Sequence, residues 1–229
     1  MLWIFKKRIW LYLEIMEVSQ KQRSSDIDSW NEVQLIYNSA LKQITTKMEI
    51  LNDEFQHVHQ YNPIEHIKSR IKTPQSIVKK LKKNNYESTI DNMVRYVNDI
   101  AGIRVICSFT SDIYRIAEMI SNQSDIRVIS VKDYIVNPKP SGYKSYHMLV
   151  TVPVYLSDRI VDTKVEIQIR TVAMDFWASL EHKINYKFEG NAPAYIKNEL
   201  IECSKMASEL DRRMLSLNEE IQMIHQRNE

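Results

Sequence analysis

The sequence predicts an α/β (α+β) fold in which a mixed β-sheet of about five strands is flanked by helices. Three observations support this prediction. Apolar residues recur with helical spacing near both ends of the chain. Between these ends the period changes to two, in short segments rich in β-branched residues. One amphipathic helical segment separates two of the strand-like segments, so strands and helices alternate along the chain.

Both ends of the chain are predicted to form long helices. From Trp30 to Phe55 the apolar residues follow a single helical stripe. The last stripe, from Ile196 to Ile224, alternates steps of four and three, which is a heptad repeat. A heptad repeat is typical of a helix that packs within one subunit and also of the seam of a helical oligomer. Both interpretations stay open, and both can hold at once.

The central region is predicted to contain four strands and a helix between the first two. The strand segments are 100–109, 125–136, 146–154 and 163–171. The helix covers 110–123, with Thr110 or Ser111 as its N-cap. The predicted organisation therefore has four parts: a poorly ordered or mis-started leader over 1–27, an N-terminal helix over 28–60, a central domain over 61–190 and a C-terminal helix over 191–229 for packing or oligomerisation.

Composition limits the possible partners and the compartment. The net charge is only +2, so overall charge does not direct the protein to DNA or to a membrane surface. The hydrophobic start is interrupted by Lys6 after five residues, which is too short for a membrane span. Cys107 and Cys203 lie in apolar surroundings without a CxxC motif, as expected for buried free thiols in a reducing compartment. We therefore expect a cytoplasmic protein with no stable membrane association.

The segment 66–83 is strongly basic and contains no acidic residue. Thr73 followed by Pro74 predicts the start of a helix, as N-cap and first helical residue. On this helix one face presents a hydroxyl and two amines: Ser76, Lys80 and Lys83. The helix N-terminus and these cations predict an anion site, although a solvated charged face is the alternative. No Gly-rich P-loop or dinucleotide fingerprint is present, so phosphates would be bound by side chains.

Two strand-like segments place polar side chains on one face of the predicted sheet. In KVEIQIRT, alternation puts Glu166, Gln168 and Arg170 opposite three apolar residues. In NDIAGIRVIC, Asp99 precedes the strand, and Gly102 shares a face with Arg104. If these strands are neighbours, Asp99 and Glu166 could hold one Mg²⁺. The alternative is an exposed amphipathic strand.

The stretch PKPSGYKSYH, residues 138–147 and here called the glycine loop, precedes a predicted strand. Tyr143 offers a ring for base stacking, and Lys139 and Lys144 offer contacts to phosphate. The alternative is a hairpin-like turn with core tyrosines.

Four motifs in this order, RIKTPQSIVKK, DIAGIRVIC, SGYKSYH and EIQIRT…FWASLEHKINYK, resemble the synthetase domain of the RelA/SpoT family. The resemblance extends from about residue 60 to 190 and is specific to the stand-alone small alarmone synthetases (RelP/RelQ type). It implies a nucleotidyltransferase-like fold and transfer of pyrophosphate from ATP to the 3′-hydroxyl of GDP or GTP, giving ppGpp or pppGpp and AMP. It also implies Mg²⁺, a tetramer, and a possible regulatory (p)ppGpp ligand. No histidine is followed by aspartate, so we expect no hydrolase activity.

The resemblance also implies roles for individual residues. The ATP-binding set would be Arg70 and Arg104 around the adenine, with Lys72, Ser76, Lys80 and Lys83 on the phosphates. The GDP/GTP-binding set would be Lys139, Ser141, Gly142, Tyr143, Lys144, His147, Gln168 and Asp175. Asp99 and Glu166 would be catalytic and bind Mg²⁺, and Glu166 would also orient or deprotonate the acceptor hydroxyl. Additional site members would be Arg170, His182 and Lys187.

Two alternatives to this function remain at the level of sequence. One is another nucleotidyltransferase on the same scaffold, although no Asp-x-Asp motif stands in the predicted core strands. The other is an RNA-binding module that uses the lysine run and exposed tyrosines. Such a module would bind strongly without turnover, and its affinity would fall steeply as salt rises.

Overall fold

The computed structural model describes residues 30–59, 61–188 and 192–228. The predicted leader over 1–27 lies outside the described residues. Six helices are described: α1 (Trp30–His59), α2 (Pro74–Lys83), α3 (Ile90–Tyr96), α4 (Thr110–Ser121), α5 (Val172–Lys187) and α6 (Ala194–Asn228). The strands are β1 (Ile64–Ile71), β2 (Ala101–Cys107), β3 (Arg127–Asp133), β4 (Tyr146–Tyr155) and β5 (Ile160–Thr171). None of the described helices is long and apolar enough to cross a membrane.

The strands form one mixed sheet in the order β1-β2-β5-β4-β3. Strands β2 and β5 run parallel, and the other neighbouring pairs run antiparallel. The predicted fold class is therefore confirmed, and the four predicted strand segments overlap β2, β3, β4 and β5. The sequence did not predict β1, because this edge strand has few apolar residues and was interpreted only as part of the basic run. Charged residues are common on edge strands, where they discourage pairing with other chains.

One face of the sheet packs against helices to form the core. The alternating residues Val165, Ile167 and Ile169 of β5 are fully buried on this face. Helix α1 packs across four of the strands, with Ile36 and Ile44 buried at helical spacing. This arrangement leaves the polar residues of β2 and β5 on the opposite face, where a binding site can form.

Two predicted helix starts have different outcomes. At α2 the Thr73 side chain accepts a hydrogen bond from the Ser76 amide, and Pro74 is the first helical residue, as predicted. At α4 the prediction of Thr110 or Ser111 as N-cap is wrong, because the N-cap is Phe109. Phenylalanine has no side-chain oxygen to accept from the first turn, and the bond that is present runs the other way: the Asp112 carboxylate accepts from the Phe109 amide at 3.1 Å.

Helix α6 presents two different faces. Toward the domain, Ser204 is 6% exposed, and Trp177 of α5 donates from Nε1 to the Leu200 carbonyl at 2.8 Å. Toward solvent, the second half of the heptad stripe is open, with Leu210 56% and Leu217 52% exposed. Packing within the subunit therefore accounts for only the first part of the stripe.

The two cysteines differ in their environments. Cys107 is buried in β2, and its pKa is raised by burial and then by the negative charges of Asp112 and Glu65. Cys203 is free and exposed on α6, so the expectation that both thiols are buried is wrong for Cys203. The next residue of the helix, Ser204, is buried against the domain.

Candidate active site

The open face of the sheet is crossed by polar side chains from neighbouring strands. Pairing of β2 with β5 confirms the adjacency on which the predicted carboxylate pair depended. Two rows of paired residues cross this face: Arg70, Gly102 and Glu166 form one, and Lys68, Arg104, Gln168 and His147 form the other. A Cβ added at Gly102 would lie 4.0 Å from its nearest neighbours, both in Arg70, so this position is open rather than crowded. The rows bring residues from both predicted nucleotide sets onto one surface.

Two lysines converge on Asp99, which lies just before β2. Lys72 Nζ is 2.6 Å from Asp99 Oδ2, and Lys80 Nζ is 2.8 Å from Asp99 Oδ1. Burial alone would raise the pKa of Asp99, but the hydrogen bonds from Lys72 and Lys80 outweigh it and lower the pKa. Asp99 is therefore ionised at neutral pH and bound on both oxygens by cations.

The position of these lysines follows from the local folding of 72–83. The Lys72 amide donates to the Ile100 carbonyl at 2.8 Å, which joins the end of β1 to the start of β2. The Thr73 cap then starts α2, and burial of Ile77 and Leu81 orients this helix. Lys80, on the helix face that the sequence predicted as an anion site, consequently points toward Asp99.

Glu166 lies in the middle of β5 and is held by two neighbours. Gln168 Nε2 donates to Glu166 Oε2 at 2.9 Å, and His147 Nδ1 lies 3.6 Å from Oε1. Burial alone would raise the pKa of Glu166, but these hydrogen-bonding partners lower it overall. The negative charge of Asp99 acts in the opposite direction, which indicates that the two carboxylates lie within electrostatic range of each other.

The donor set of Asp99 and Glu166 fits a Mg²⁺ ion. Magnesium is commonly held by one or two carboxylates together with substrate phosphates, rather than by a complete cage of protein ligands. Consistent with this, the described residues contain no group of three or more histidine, cysteine or acidic side chains that could hold a metal alone. Both carboxylates have lowered pKa values, so both are in the charged form that a metal requires.

Arg170 joins the sheet to the glycine loop and to α5. It is 4% exposed, and its Nη2 donates to the Tyr143 hydroxyl at 2.6 Å. Its Nη1 is 3.1 Å from Asp175 Oδ1, and the same oxygen is 3.1 Å from Arg104 Nη1. Asp175 therefore bridges an arginine of the predicted ATP side and an arginine next to the predicted acceptor side.

Rings and cations surround Tyr143 in the glycine loop. Lys139 Nζ lies 4.7 Å from the centre of its ring, and the Arg170 guanidinium lies 5.0 Å from it. The Tyr143 hydroxyl is 2.8 Å from His147 Nε2. Tyr134 packs edge-on against the rings of both Tyr143 and His147, at 6.0 and 5.2 Å between centres. The loop is thus an aromatic and cationic cluster, as expected for a surface that binds a base and phosphates.

Several predicted site residues are exposed to solvent. Ser141, His182, Lys83 and Lys187 are exposed, the last two at helix ends. Gly142 has a positive φ of 88°, and an added Cβ would lie 2.9 Å from Ser204 Cβ on α6. The glycine at this position is therefore explained without a bound nucleotide. Close packing against α6 already requires it.

The structure also adds residues that the sequence did not indicate. Tyr134 lines the aromatic cluster, and Ser145, fully buried, lies 3.4 Å by its Oγ from Arg170 Nε. Ser204 and Asp211 of α6 contact the glycine loop and the end of β5. Tyr134 and Ser145 lie near or within the glycine loop in the sequence, but nothing there distinguished them as site members. The others depend on contacts between distant segments.

The fold and the polar face together define a class of protein. The model of the region found in RelA / SpoT proteins matches residues 69–191, which include the end of β1, most of the polar face and α5. The chain therefore belongs to the RelA/SpoT family. It is 46% identical to GTP pyrophosphokinase YwaC of Bacillus subtilis over 85% of this chain and 93% of that protein. It is 34% identical to GTP pyrophosphokinase YjbM of the same organism, over 86% and 92%.

Solved structures show the same relationship. Small alarmone synthetase 2 from Bacillus subtilis superposes with a TM-score of 0.77 at 44% identity, covering 83% of this chain and 98% of that one. Small alarmone synthetase 1 from the same organism, bound to its product pppGpp, gives 0.78 at 35% identity, covering 84% and 98%. The resemblance found in the sequence is thus confirmed, together with the fold that it implied.

Proposed function

We propose that this protein is a GTP/GDP pyrophosphokinase, which transfers the β,γ-pyrophosphate of ATP to the 3′-hydroxyl of GDP or GTP. The products are ppGpp or pppGpp, the alarmones of the stringent response, and AMP. The observation that supports this most directly is the polar face of the sheet, where Lys72, Lys80 and Glu166 share one surface with the aromatic glycine loop. The names of the relatives, GTP pyrophosphokinases and small alarmone synthetases, point to the same reaction.

ATP occupies the side formed by β1, β2 and α2 in this proposal. Arg70 and Arg104 flank the adenine, and Lys72, Ser76, Lys80 and Lys83 bind the phosphates. Lys72 and Lys80 are paired with Asp99, so phosphates that bind these lysines would exchange places with this carboxylate. This exchange frees Asp99 as the triphosphate arrives, which couples phosphate binding to the availability of a metal ligand.

The acceptor nucleotide occupies the side formed by the glycine loop, β4 and β5. Tyr143 stacks on guanine, and the cations Lys139 and Lys144, with His147, approach its phosphates. Ser141, Gly142 and Gln168 complete this subsite, and Asp175 accepts from the N1–H and N2–H₂ groups of guanine. Arg170 keeps the Tyr143 ring in place by its hydrogen bond to the hydroxyl.

The reaction breaks the bond between the α-phosphate and the β-phosphate of ATP and forms a bond from the acceptor 3′-oxygen to the β-phosphorus. AMP takes the electrons of the broken bond, and the proton of the 3′-hydroxyl leaves through Glu166. The lowered pKa of Glu166 makes it an ionised acceptor at neutral pH that orients this hydroxyl. Mg²⁺ bound by Asp99 and Glu166 would neutralise charge on the transferred phosphates. The side chains otherwise act by position and charge.

The test incubates the protein with Mg²⁺, GDP or GTP, and ATP labelled at the β and γ phosphates, and then separates the nucleotides. We expect the label to move to the guanine nucleotide. Glu166→Gln should lower kcat at least about 100-fold, because it removes the charged acceptor, while the thermal midpoint stays close to that of the wild type. Glu202→Gln, which changes an exposed carboxylate on α6, is the matched control and should keep full activity. Retained transfer in Glu166→Gln would exclude this role for Glu166.

The proposal extends to assembly and location. The exposed heptad stripe of α6 supports a homo-oligomer, and we take the tetramer of the small synthetases as the assembly. The cytoplasm, where ATP and guanine nucleotides are made and used, is the compartment that this reaction requires. A (p)ppGpp molecule as regulatory ligand fits an enzyme that responds to its own product.

A further inference from the structure

Helix α6 packs against the glycine loop through Ser204, which contacts Gly142. Ser204 is buried, and its Oγ donates a hydrogen bond of 2.5 Å to the carbonyl of Gly142. This is a contact between the tip of the loop and a helix 62 positions further along the chain. The loop's own backbone bonds, from the Lys139 amide to the Tyr143 carbonyl and from the Gly142 amide to the Lys139 carbonyl, close it on itself.

The fit between loop and helix is tight. At Gly142 an added Cβ would lie 2.9 Å from Ser204 Cβ, 3.1 Å from Ser204 Oγ and 3.5 Å from Ile201 Cα. Because Ser204 Cβ is fixed to the helix backbone and 2.9 Å is too short for two carbon atoms, α6 or the loop would have to shift to make room for a side chain here. The positive φ of Gly142 disfavours other residues independently. The chain has only three glycines, and Gly142 is one of them. Its lack of a side chain allows α6 to pack directly on the loop.

A second contact lies two turns further along the same face of α6. Asp211 Oδ2 accepts a hydrogen bond from Thr171 Oγ1 at 2.7 Å, at the end of β5. Thr171 Oγ1 also accepts from the Met174 amide at 3.1 Å, in the first turn of α5, which carries Asp175. Asp211 and the Lys144 ammonium of the glycine loop lie close enough to interact electrostatically. Asp211 thus connects the loop, the last residue of β5 and the start of α5.

We infer that Ser204 and Asp211 are positioning residues, which fix the glycine loop for the acceptor nucleotide without contacting either substrate. The inference rests on the proposed function for the identity of that nucleotide. Helix α6 packs mainly on α5 and α4 and contacts the end of the central strand β5, whereas the proposed ATP phosphate residues Lys72 and Lys80 follow the edge strand β1. Loss of either contact should therefore weaken the binding of GDP or GTP more than the binding of ATP.

The test compares Ser204→Ala with Ser208→Ala as the matched control. Ser208 Oγ donates only one turn back, to the Ser204 carbonyl, so its removal leaves the contact between loop and helix in place. In steady-state kinetics, Ser204→Ala should raise KM for GDP or GTP roughly fivefold, the effect of one lost hydrogen bond. KM for ATP and kcat at saturation should stay within about twofold of the wild type. Asp211→Ala should shift KM in the same direction.

A measurement without turnover separates this inference from the proposed function. Trypsin cuts after Lys144 but not after Lys139, which precedes Pro140. Cleavage after Lys144 should be faster in Ser204→Ala and in Asp211→Ala than in the wild type and in Ser208→Ala. Faster cleavage with no transfer by the wild type would overturn the proposed function and keep the positioning role. Unchanged cleavage, or equal increases in KM for both substrates, would overturn the positioning role.

Discussion

At the scale of single residues, the charged groups of the candidate site are paired with one another. The Asp99 carboxylate lies between the amines of Lys72 and Lys80, and Glu166 is held by Gln168 and His147. Paired in this way, charged groups cost less to bury than isolated ones. Since the same residues bind phosphate and metal in the proposal, these pairings keep the cations and carboxylates in place for the substrates.

Tyr143 allows the stacking role to be separated from its hydrogen bonds. Tyr143→Ala removes the ring and should raise KM for GDP or GTP about tenfold or more, in line with the free energy of stacking on a base. KM for ATP should change little, because no ATP-side residue is within the aromatic cluster. Steady-state kinetics with each substrate varied in turn measures both constants. Equal losses for the two substrates would contradict the stacking role.

Tyr143→Phe is the control for this prediction. It keeps the ring but removes the hydroxyl that Arg170 and His147 contact. Arg170 still has Asp175 and Gln168 as partners, so we expect a smaller change in acceptor KM than in the alanine variant. A phenylalanine variant as impaired as the alanine variant would assign the effect to the hydroxyl and its network.

The sequence predicted part of this chemistry at residue level. The sequence predicted that Glu166, Gln168 and Arg170 share one face of the sheet, because side chains alternate along a strand and this alternation is a local property. The ion pairs of Asp175 with Arg104 and Arg170 were not predicted, because they depend on how α5 leaves β5 and crosses the sheet. Ser204 gave no signal, since a serine in a long helix is usually a solvent-facing residue.

At the scale of elements, the sequence predicted a helix start correctly where adjacent residues form the cap. It did not predict elements that depend on contacts with distant segments. Thr73 and Pro74 identified the start of α2 because a cap is set by adjacent residues. The edge strand β1 was missed, since pairing with β2 stabilises a segment with little apolar character of its own. The predicted start of α4 is too late, because its N-cap is Phe109, which lacks the side-chain acceptor of a usual N-cap. The Asp112 carboxylate binds the Phe109 amide.

Asp112 provides the element-scale prediction. It is almost fully buried, accepts from the Phe109 amide at 3.1 Å and accepts from the Tyr61 hydroxyl at 2.5 Å. Asp112→Ala should lower the free energy of unfolding by about 1–2 kcal/mol, as for other lost caps. Asp112→Asn keeps an acceptor oxygen and should cost less. Urea unfolding of both variants, with the exposed Asp158→Asn as control, measures the difference.

The pH dependence of this effect follows from the pKa of Asp112, which burial raises against the opposing hydrogen bonds from Tyr61 and Phe109. A raised pKa in the folded state means that the folded protein binds the proton more tightly than the unfolded chain. The stabilising contribution is therefore complete below the ordinary carboxyl pKa and is lost as pH rises through the raised value. The wild type should gain stability relative to Asp112→Asn as pH falls through the raised pKa toward the ordinary carboxyl value. A constant difference would contradict the raised pKa.

At the scale of the whole molecule, α6 connects the candidate site to the surface proposed for assembly. Its inner face contacts the glycine loop through Ser204, and its outer face exposes the apolar stripe that includes Leu210 and Leu217. A subunit that packs on the outer face would restrict the motion of the helix that holds the loop. We therefore expect assembly and acceptor binding to be linked through α6. Variants that change the oligomer should show whether assembly raises or lowers the KM for the acceptor.

The assembly prediction uses Leu210→Glu/Leu217→Glu, which places two charges on the exposed stripe. Burying these carboxylates in a helical seam would be costly, so the oligomer should dissociate to smaller species. Asn198→Glu/Ser216→Glu adds the same charge at exposed positions off the stripe and should leave the assembly unchanged. Light scattering after size-exclusion chromatography measures the mass, and circular dichroism checks that the helices persist. An unchanged mass in the leucine variant would exclude these positions from the interface, and a smaller mass with a raised acceptor KM would connect assembly to the glycine loop.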